Sequence, residues 1–280
     1  MSGYRGRFFV RKRVWVCGDY VEADVYPVFQ APGQRRKKCR PTREVQERIN
    51  RRDAERKAAR IAHANFSRED YALDLTLEEP MEVPEAVGKL RAYFRRLRKK
   101  YRKSGLELKY MYAIERGARS GRVHFHLIIN GGAMSRDELE AEWGLGYANS
   151  RRLQFDENGI TSLVEYIVKA GKKKARRQTY RRWSCSKNLI RPEAAVSDGE
   201  VTVREAEELA DAIERRNAEG MAAEIWPGYV LAEAEAMRNM YNRGMYIHLR
   251  LAKPEAWNGR PPRAEYLSGE IGEDLREERA

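Results

Sequence analysis

Two periodicities organise this chain. From Val123 to Ile129 apolar residues recur at every second position (Val123, Phe125, Leu127, Ile129) with His124 and His126 between them. On a strand, that alternation sends the apolar side chains toward a core and sets two imidazoles side by side on the opposite face. From Pro84 to Gly105 the spacing changes to three and four. Val87, Leu90, Phe94, Leu97 and Tyr101 fall on one stripe and the arginines on the other, which predicts a helix opened by Pro84-Glu85 and closed by Gly105.

The segments around these two are read from the same signals. Tyr71 to Leu77 is a strand interrupted by Asp74, and Glu107 to Arg116 is a strand leading through Gly117 to Gly121 into the histidine strand as an antiparallel hairpin. Ser135-Arg136-Asp137-Glu138 is a capping box for a short helix reaching about Trp143, and Tyr147 to Phe155 is a further strand. Ser162-Leu163-Val164-Glu165 is a second capping box, whose helix carries Tyr166 and Lys169 and ends near Gly171. Strand, helix, strand, strand, helix, strand, helix predicts an α+β fold: a central antiparallel sheet with helices mainly on one face.

The flanks read differently. Residues 1–33 form a hairpin around Cys17-Gly18-Asp19, and Pro41 to Asn65 a strongly basic helix. Beyond residue 193 come a helix from Val203 to Asn217, the break Trp226-Pro227-Gly228-Tyr229, another helix, a strand at Tyr246 to Leu251 and a frayed end after Pro261. Three blocks result: a basic N-terminal hairpin and helix (1–66), a central domain (67–192) and an acidic, mainly helical C-terminal extension (193–280).

Charge narrows the partner. The chain has 280 residues, a net charge of +13 and three scattered cysteines, which suits a reducing interior and excludes a disulfide scaffold. No long apolar run and no apolar leader segment occur, so neither a membrane span nor a signal peptide is expected and the cytoplasm of a bacterial host is the expected setting. Twelve Lys or Arg stand against four acidic residues from Arg35 to Arg60, eight against none from Arg91 to Lys103, and ten against none from Lys169 to Arg191. From Glu193 to Glu224 the sign reverses, with ten acidic and three basic residues. Such clusters gain free energy by displacing counterions from a phosphate backbone, and nucleic acid is the expected partner.

The chemistry-bearing residues gather in the central block. Only four histidines occur, and two of them are one residue apart on a strand. A third ligand belongs on a neighbouring strand. A four-residue hairpin loop, Ala118 to Gly121, puts Glu115 opposite His124 on the histidine face. A five-residue loop would bury the carboxylate unpaired in the core, a costly place for it. Two imidazoles and a carboxylate suit Mg²⁺, Mn²⁺ or another divalent ion, and the lack of thiols argues against structural zinc. Tyr166 and Lys169, three apart, share a polar helix stripe and could pair a nucleophile with a phosphate-holding cation. Lys172, Lys173, Lys174, Arg176, Arg177, Arg181 and Arg182, with Tyr180 and Trp183 interleaved, could hold a single strand by phosphate contacts and base stacking.

These motifs resemble, in order, those of the histidine-hydrophobe-histidine endonucleases, the rolling-circle replication initiators of plasmids, phages and small single-stranded DNA viruses. Leu73-Asp74-Leu75-Thr76-Leu77 is similar to the family's first motif, Gly121-Arg122-Val123-His124-Phe125-His126-Leu127-Ile128 with Glu115 to its second, and Tyr166-Ile167-Val168-Lys169 to its third. Arg182-Trp183-Ser184-Cys185-Ser186-Lys187-Asn188-Leu189 resembles a segment that follows this helix in phage and bacterial replication-associated proteins. The resemblance implies a sheet of about five strands with the histidines on a central strand. It also implies nicking of single-stranded DNA or an origin hairpin, a 5′-phosphotyrosine intermediate on Tyr166 and a free 3′ hydroxyl for priming. Asp74 departs from the first motif, only one tyrosine occupies the third, and no Walker loop follows, so unwinding is left to a host helicase and synthesis to a host polymerase. A relaxase or transposase of the same superfamily, a non-catalytic nucleic-acid-binding regulator, and a hydrolase in which water attacks remain the competing readings.

Overall fold

A computed structural model describes residues 8–29, 43–117, 120–169, 183–239, 244–256 and 264–271. The chain divides into two compact units, one made of 1–52, 156–159 and 192–280, the other of 53–155 and 160–191. Among the described residues no helix is long and apolar enough to cross a membrane.

In the first unit β1 (Phe8–Cys17) and β2 (Tyr20–Phe29) form the expected hairpin, turning at Gly18 with φ 68°. They lie inside a six-stranded sheet ordered β11-β9-β10-β2-β1-β8, in which β8 is Ala195–Asp198, β9 Val230–Asn239, β10 Met245–Ala252 and β11 Glu265–Ile271. α5 (Val203–Glu214), capped by Thr202 and Glu205 in a reciprocal box, and α6 (Glu219–Ile225) complete it. The apolar side of α5, with Leu209, Ala210 and Ile213, buries against Val21, Ala23, Leu249 and Leu251.

This unit corrects the block reading of the flanks. The N-terminal hairpin and the C-terminal extension are not separate, because β2 pairs with β10, Val25 opposite Ile247. The extension is also not mainly helical. Val230–Asn239, expected to be a helix, is a strand, and 265–271, expected to be frayed, is a strand parallel to β9. Ala, Glu and Met favour helix locally, but Ala232, Ala234 and Ala236 are buried while Glu233 and Glu235 between them are half-exposed. The period of two prevails once a partner strand exists to bury it.

The second unit holds a five-stranded antiparallel sheet, ordered β6-β3-β5-β4-β7, within the α+β architecture the sequence predicts. Its strands are β3 (Tyr71–Thr76), β4 (Tyr110–Arg116), β5 (Val123–Ile129), β6 (Ala148–Arg152) and β7 (Trp183–Cys185). α2 (Val83–Lys103) lays Leu90, Phe94, Leu97 and Tyr101 on Leu73, Leu75, Ile114, Phe125 and Leu127. Each such fully buried side chain contributes about 1.5–3 kcal/mol relative to exposure. α3 (Arg136–Ala141) carries the expected Ser135/Glu138 capping box and adds Leu139, with Trp143 following it, to the same face.

The other face of the sheet is also partly covered, where helices mainly on one face were expected. α1 (Arg43–His63), through Ala58, Ile61 and Ala62, and α4 (Thr161–Lys169), through Val164, pack on Ala72, Met111, Ala113 and Ile128. α4 begins at Thr161, so Ser162 lies inside the helix and does not precede it as a cap. A backbone hydrogen bond to the buried His63, Ile160 N–H to Nε2 at 3.2 Å, ties the start of α4 to α1. Farther along the strands this face turns polar.

Gly146 holds the polar end in place. Its φ is 138°, and a methyl group there would run into the Thr76 carbonyl and come within 2.6 Å of the Glu78 nitrogen. Gly146→Ala is expected to destabilise the fold by about 2–3 kcal/mol. Gly105→Ala, at φ 71° with open space around it, is expected to cost only about 1 kcal/mol. Denaturant unfolding of the two variants measures the difference.

Candidate active site on the histidine face

Strand pairing fixes what surrounds the imidazoles. In β5, Val123, Phe125, Leu127 and Ile129 are buried in the core under α2, while His124 and His126 emerge half-buried on the other side. In β4, Glu115 stands opposite His124 and Ala113 opposite His126, the register in which the carboxylate shares the histidine face. On the other flank of β5, Thr76 lies opposite His124 and Asp74 opposite His126. One face of three adjacent strands therefore presents Asp74, Thr76, His124, His126 and Glu115 together.

The hydrogen bonds orient these groups. His126 Nδ1 is 2.7 Å from Asp74 Oδ1, and Asp74 Oδ2 accepts from Arg151 Nη1 at 2.8 Å. His126 Nε2 faces Glu115 Oε2 at 3.3 Å, and His124 Nδ1 lies 2.9 Å from the Thr76 hydroxyl. Both Nδ1 atoms are thus held from β3. In the neutral tautomer that donates Nδ1–H to Asp74, the lone pair of His126 sits on Nε2, toward the open side. Gly117 preserves space beside the second ring, since a methyl group there would come within 3.0 Å of His124 Nε2 and 2.7 Å of Ser120 Oγ. Trp143 Nε1 donates to the Thr76 carbonyl at 3.1 Å and anchors this end of β3.

The electrostatics separate the two imidazoles. Burial alone would lower the His126 pKa, but the hydrogen bonds and charges of Asp74 and Glu115 outweigh it and raise it. His124 moves the other way: burial, with the positive charge of His126 and Arg122, overcomes the attraction of Glu115 and lowers its pKa. Burial disfavours the Asp74 carboxylate, yet its bonds to His126 and Arg151 prevail and hold its pKa below the ordinary value. Among the described residues, no three His, Cys, Asp or Glu side chains are already closed up as a metal-holding cluster; Glu115 and His126 satisfy each other by a hydrogen bond instead.

α4 brings the phenol to this face. Val164 anchors the helix in the core beneath it, and Tyr166 on its outer side is 56% exposed. The Tyr166 ring stands edge-on to the His126 ring, with centroids 5.3 Å apart and an interplanar angle of 74°. Lys169 is the last residue of α4, and its side chain lies outside the described residues, as do Lys172, Lys173, Lys174, Arg176, Arg177, Arg181 and Arg182. Trp183 is in β7 opposite Ala113, half-buried against the cluster formed with α1 and α4, so it packs on the sheet and does not stand free as a stacking platform.

Asp74, Thr76 and Arg151 are site residues that the sequence alone does not single out. Asp74 reads as an interruption of an apolar strand, although its spacing from Thr76 is the same two residues that separate the histidines. Once β3 is placed beside β5, the two pairs face each other.

Residues 70–174 match the family model of the replication-associated protein ORF2 family. The matched span runs from the residue before β3 through α4 and takes in every side chain of the histidine face. It is consistent with a replication initiator. Comparisons with curated proteins and with solved structures give no significant match.

Replacing Asp74 by Asn removes the charge that stabilises the imidazolium, so in the metal-free protein the His126 pKa is expected to fall, as read by NMR titration. The raised pKa stabilises the wild-type fold fully below the ordinary histidine value of 6.5, and that stabilisation is lost as pH rises through the raised value. Asp74→Asn is therefore expected to lose more unfolding free energy at pH 6 than at pH 9.

Proposed function

We propose that this protein initiates rolling-circle replication by nicking and rejoining single-stranded DNA, with Tyr166 as the nucleophile and His124, His126 and Glu115 as ligands of a divalent ion, Mg²⁺ or Mn²⁺. The observation that carries the reading is the approach of the Tyr166 ring to His126 on the face that also presents Glu115. The match to the replication-associated protein family over the same residues supports it.

The donor set fits such an ion. Two imidazole nitrogens and one carboxylate lie on adjacent strands, both Nδ1 atoms are already engaged by Asp74 and Thr76, and the Nε2 of each ring is left for an outside partner. Glu115 would exchange its hydrogen bond to His126 for a place in that set. When bound, the ion supplies Lewis-acid polarisation of the scissile phosphate.

The remaining work falls to the chain. The Tyr166 oxygen attacks phosphorus and forms a phosphotyrosine with the 5′ phosphate. The phenol proton passes to solvent across the exposed side of the ring. The bond from phosphorus to the 3′ oxygen breaks, and that oxygen takes up a proton to become the priming hydroxyl. Lys169, one helical turn from Tyr166, holds the phosphate and offsets the charge that develops on it. Reversal of the same steps joins the strand. A single tyrosine suits one covalent linkage at a time, and unwinding and synthesis fall to partner proteins of the host.

Incubation with single-stranded oligonucleotides and Mn²⁺ is expected to give a protein–DNA adduct that survives denaturing gels. Both Tyr166→Phe and His126→Ala should abolish it, each by at least about a hundredfold. Cleavage that persists in Tyr166→Phe would transfer the attack to water, and binding without cleavage in the wild type would make the protein a regulator.

A further inference from the structure

A second polar cleft lies away from the histidine face, where the C-terminal end of α2 meets the end of β7. It encloses about 420 Å³ and is lined by Arg98 and Arg102 from α2, Leu106 and Glu107 from the following loop, and Lys187 and Asn188 beyond β7. Tyr110 forms part of its wall. That residue begins β4 and Glu115 lies five residues along the same strand, which separates the cleft from the histidines by about 17 Å.

The cleft is built from held parts. Ser186 is buried, its N–H donates to the Tyr110 carbonyl at 2.9 Å, and its hydroxyl accepts from the Tyr110 N–H at 3.2 Å. Asn188 Nδ2 donates to Glu107 Oε2 at 3.1 Å and to the Leu108 carbonyl at 3.3 Å, and Leu189 is buried beyond it. Lys187 is thus presented outward by a segment fixed on both sides. Tyr110 is stacked on Phe94, with ring centroids 3.8 Å apart, and its hydroxyl accepts from Arg98 Nη2 at 3.0 Å.

The charge is left uncompensated. Among the described residues Arg98, Arg102 and Lys187 form no ion pair, and Glu107 is committed to Asn188. By contrast, Arg96 and Lys100 on the same helix are both bound by Glu142. Arg91, Arg95, Arg98 and Arg102, all exposed, follow one another at helical spacing and form a stripe about 16 Å long that leads into the cleft. Inside it Leu106 is 39% exposed, an apolar surface beside three cations.

We infer that this cleft and the Arg91–Arg95–Arg98–Arg102 stripe bind the phosphodiester backbone of a single DNA strand flanking the nick, with one nucleotide seated in the cleft. Its phosphate meets Arg98, Arg102 and Lys187, and its base lies on Leu106. A paired base in a duplex has no free face for that surface, so the site selects single strands. The assignment rests on the DNA-nicking reading above for the nature of the polyanion.

The test is fluorescence anisotropy with a labelled single-stranded oligonucleotide and a duplex of the same sequence, over a range of salt concentrations. It uses the full-length protein and Arg98→Ala/Arg102→Ala/Lys187→Ala, with adduct formation by the wild type assayed separately. The triple variant is expected to lose roughly 10–100-fold in single-strand affinity at low salt and about two from the slope of log K against log salt, since each phosphate contact contributes about 0.7. The duplex should lose less. Arg96→Ala/Lys100→Ala, removing charges already neutralised by Glu142, should leave the slope in place, and Lys187→Ala alone, outside any helix, should reproduce about a third of the change. Unaltered single-strand binding by the triple variant, or a loss confined to duplex, overturns the inference even if the wild type forms the adduct. Absence of the adduct with cleft-dependent binding intact overturns the nicking reading and leaves the cleft standing.

Discussion

The pairing register of β4 on β5 is the constraint on which the candidate site depends. Side chains alternate across a strand, so a slip by one residue would drive His124 and His126 into the core and bring Phe125 out. That slip is blocked from the buried side. Val123, Phe125 and Leu127 fit beneath Leu90, Phe94 and Leu97 of α2, and Ile114 of β4 joins the same cluster. Exchanging several buried apolar groups for two imidazoles and a carboxylate would cost many times the few kcal/mol that one strand pairing can vary. The positions of the polar groups are therefore enforced by a core that contains none of them.

Strand β3 then turns that position into an orientation. Asp74 and Thr76 each take one Nδ1, and Arg151 of β6 takes the second Asp74 oxygen. The contacts run across the sheet, from β6 to β3 to β5, at the spacing of neighbouring strands. Each imidazole loses the freedom to rotate about its outer bond because one nitrogen is already committed. The charge is graded as well, with His126 between two carboxylates and His124 beside one, which is why their proton affinities move in opposite directions. The departure of Asp74 from the apolar pattern of its strand is thus matched by a partner one strand away.

What is legible in the sequence follows from the range of the interactions. The alternation in β5, the three-and-four spacing in α2, the Gly18 turn and the Ser135 capping box are local, and each forms where the sequence places it. Glu115 is placed by a local argument too, because hairpin loop length and burial cost together fix its side of the sheet. Asp74 is legible as an oddity and not as a contact, since its partner is 52 residues away. The Ala-Glu run of β9 reads as helix because propensity is a property of the segment, while its burial depends on β10 and β11 on either side. Trp183 obeys the same rule: amid arginines it reads as a stacking residue, but pairing with β4 makes it part of a packed face.

The chain order carries a further consequence for how the two sheets form. β4 and β5 close over a short loop, and the contacts of the second unit lie within residues 53–191. The first unit must pair β2 with β10 across roughly 220 residues, and closing that loop costs about 3 kcal/mol more than a hairpin of a few residues. Prior folding of the intervening unit lowers that cost, because a compact body replaces most of the flexible loop. The order in which entropy can be recovered places the sheet bearing His124 and His126 ahead of the six-stranded one. The helical preference of an unpaired 230–239 segment favours the same sequence of events, since its strand form waits on partners that arrive late.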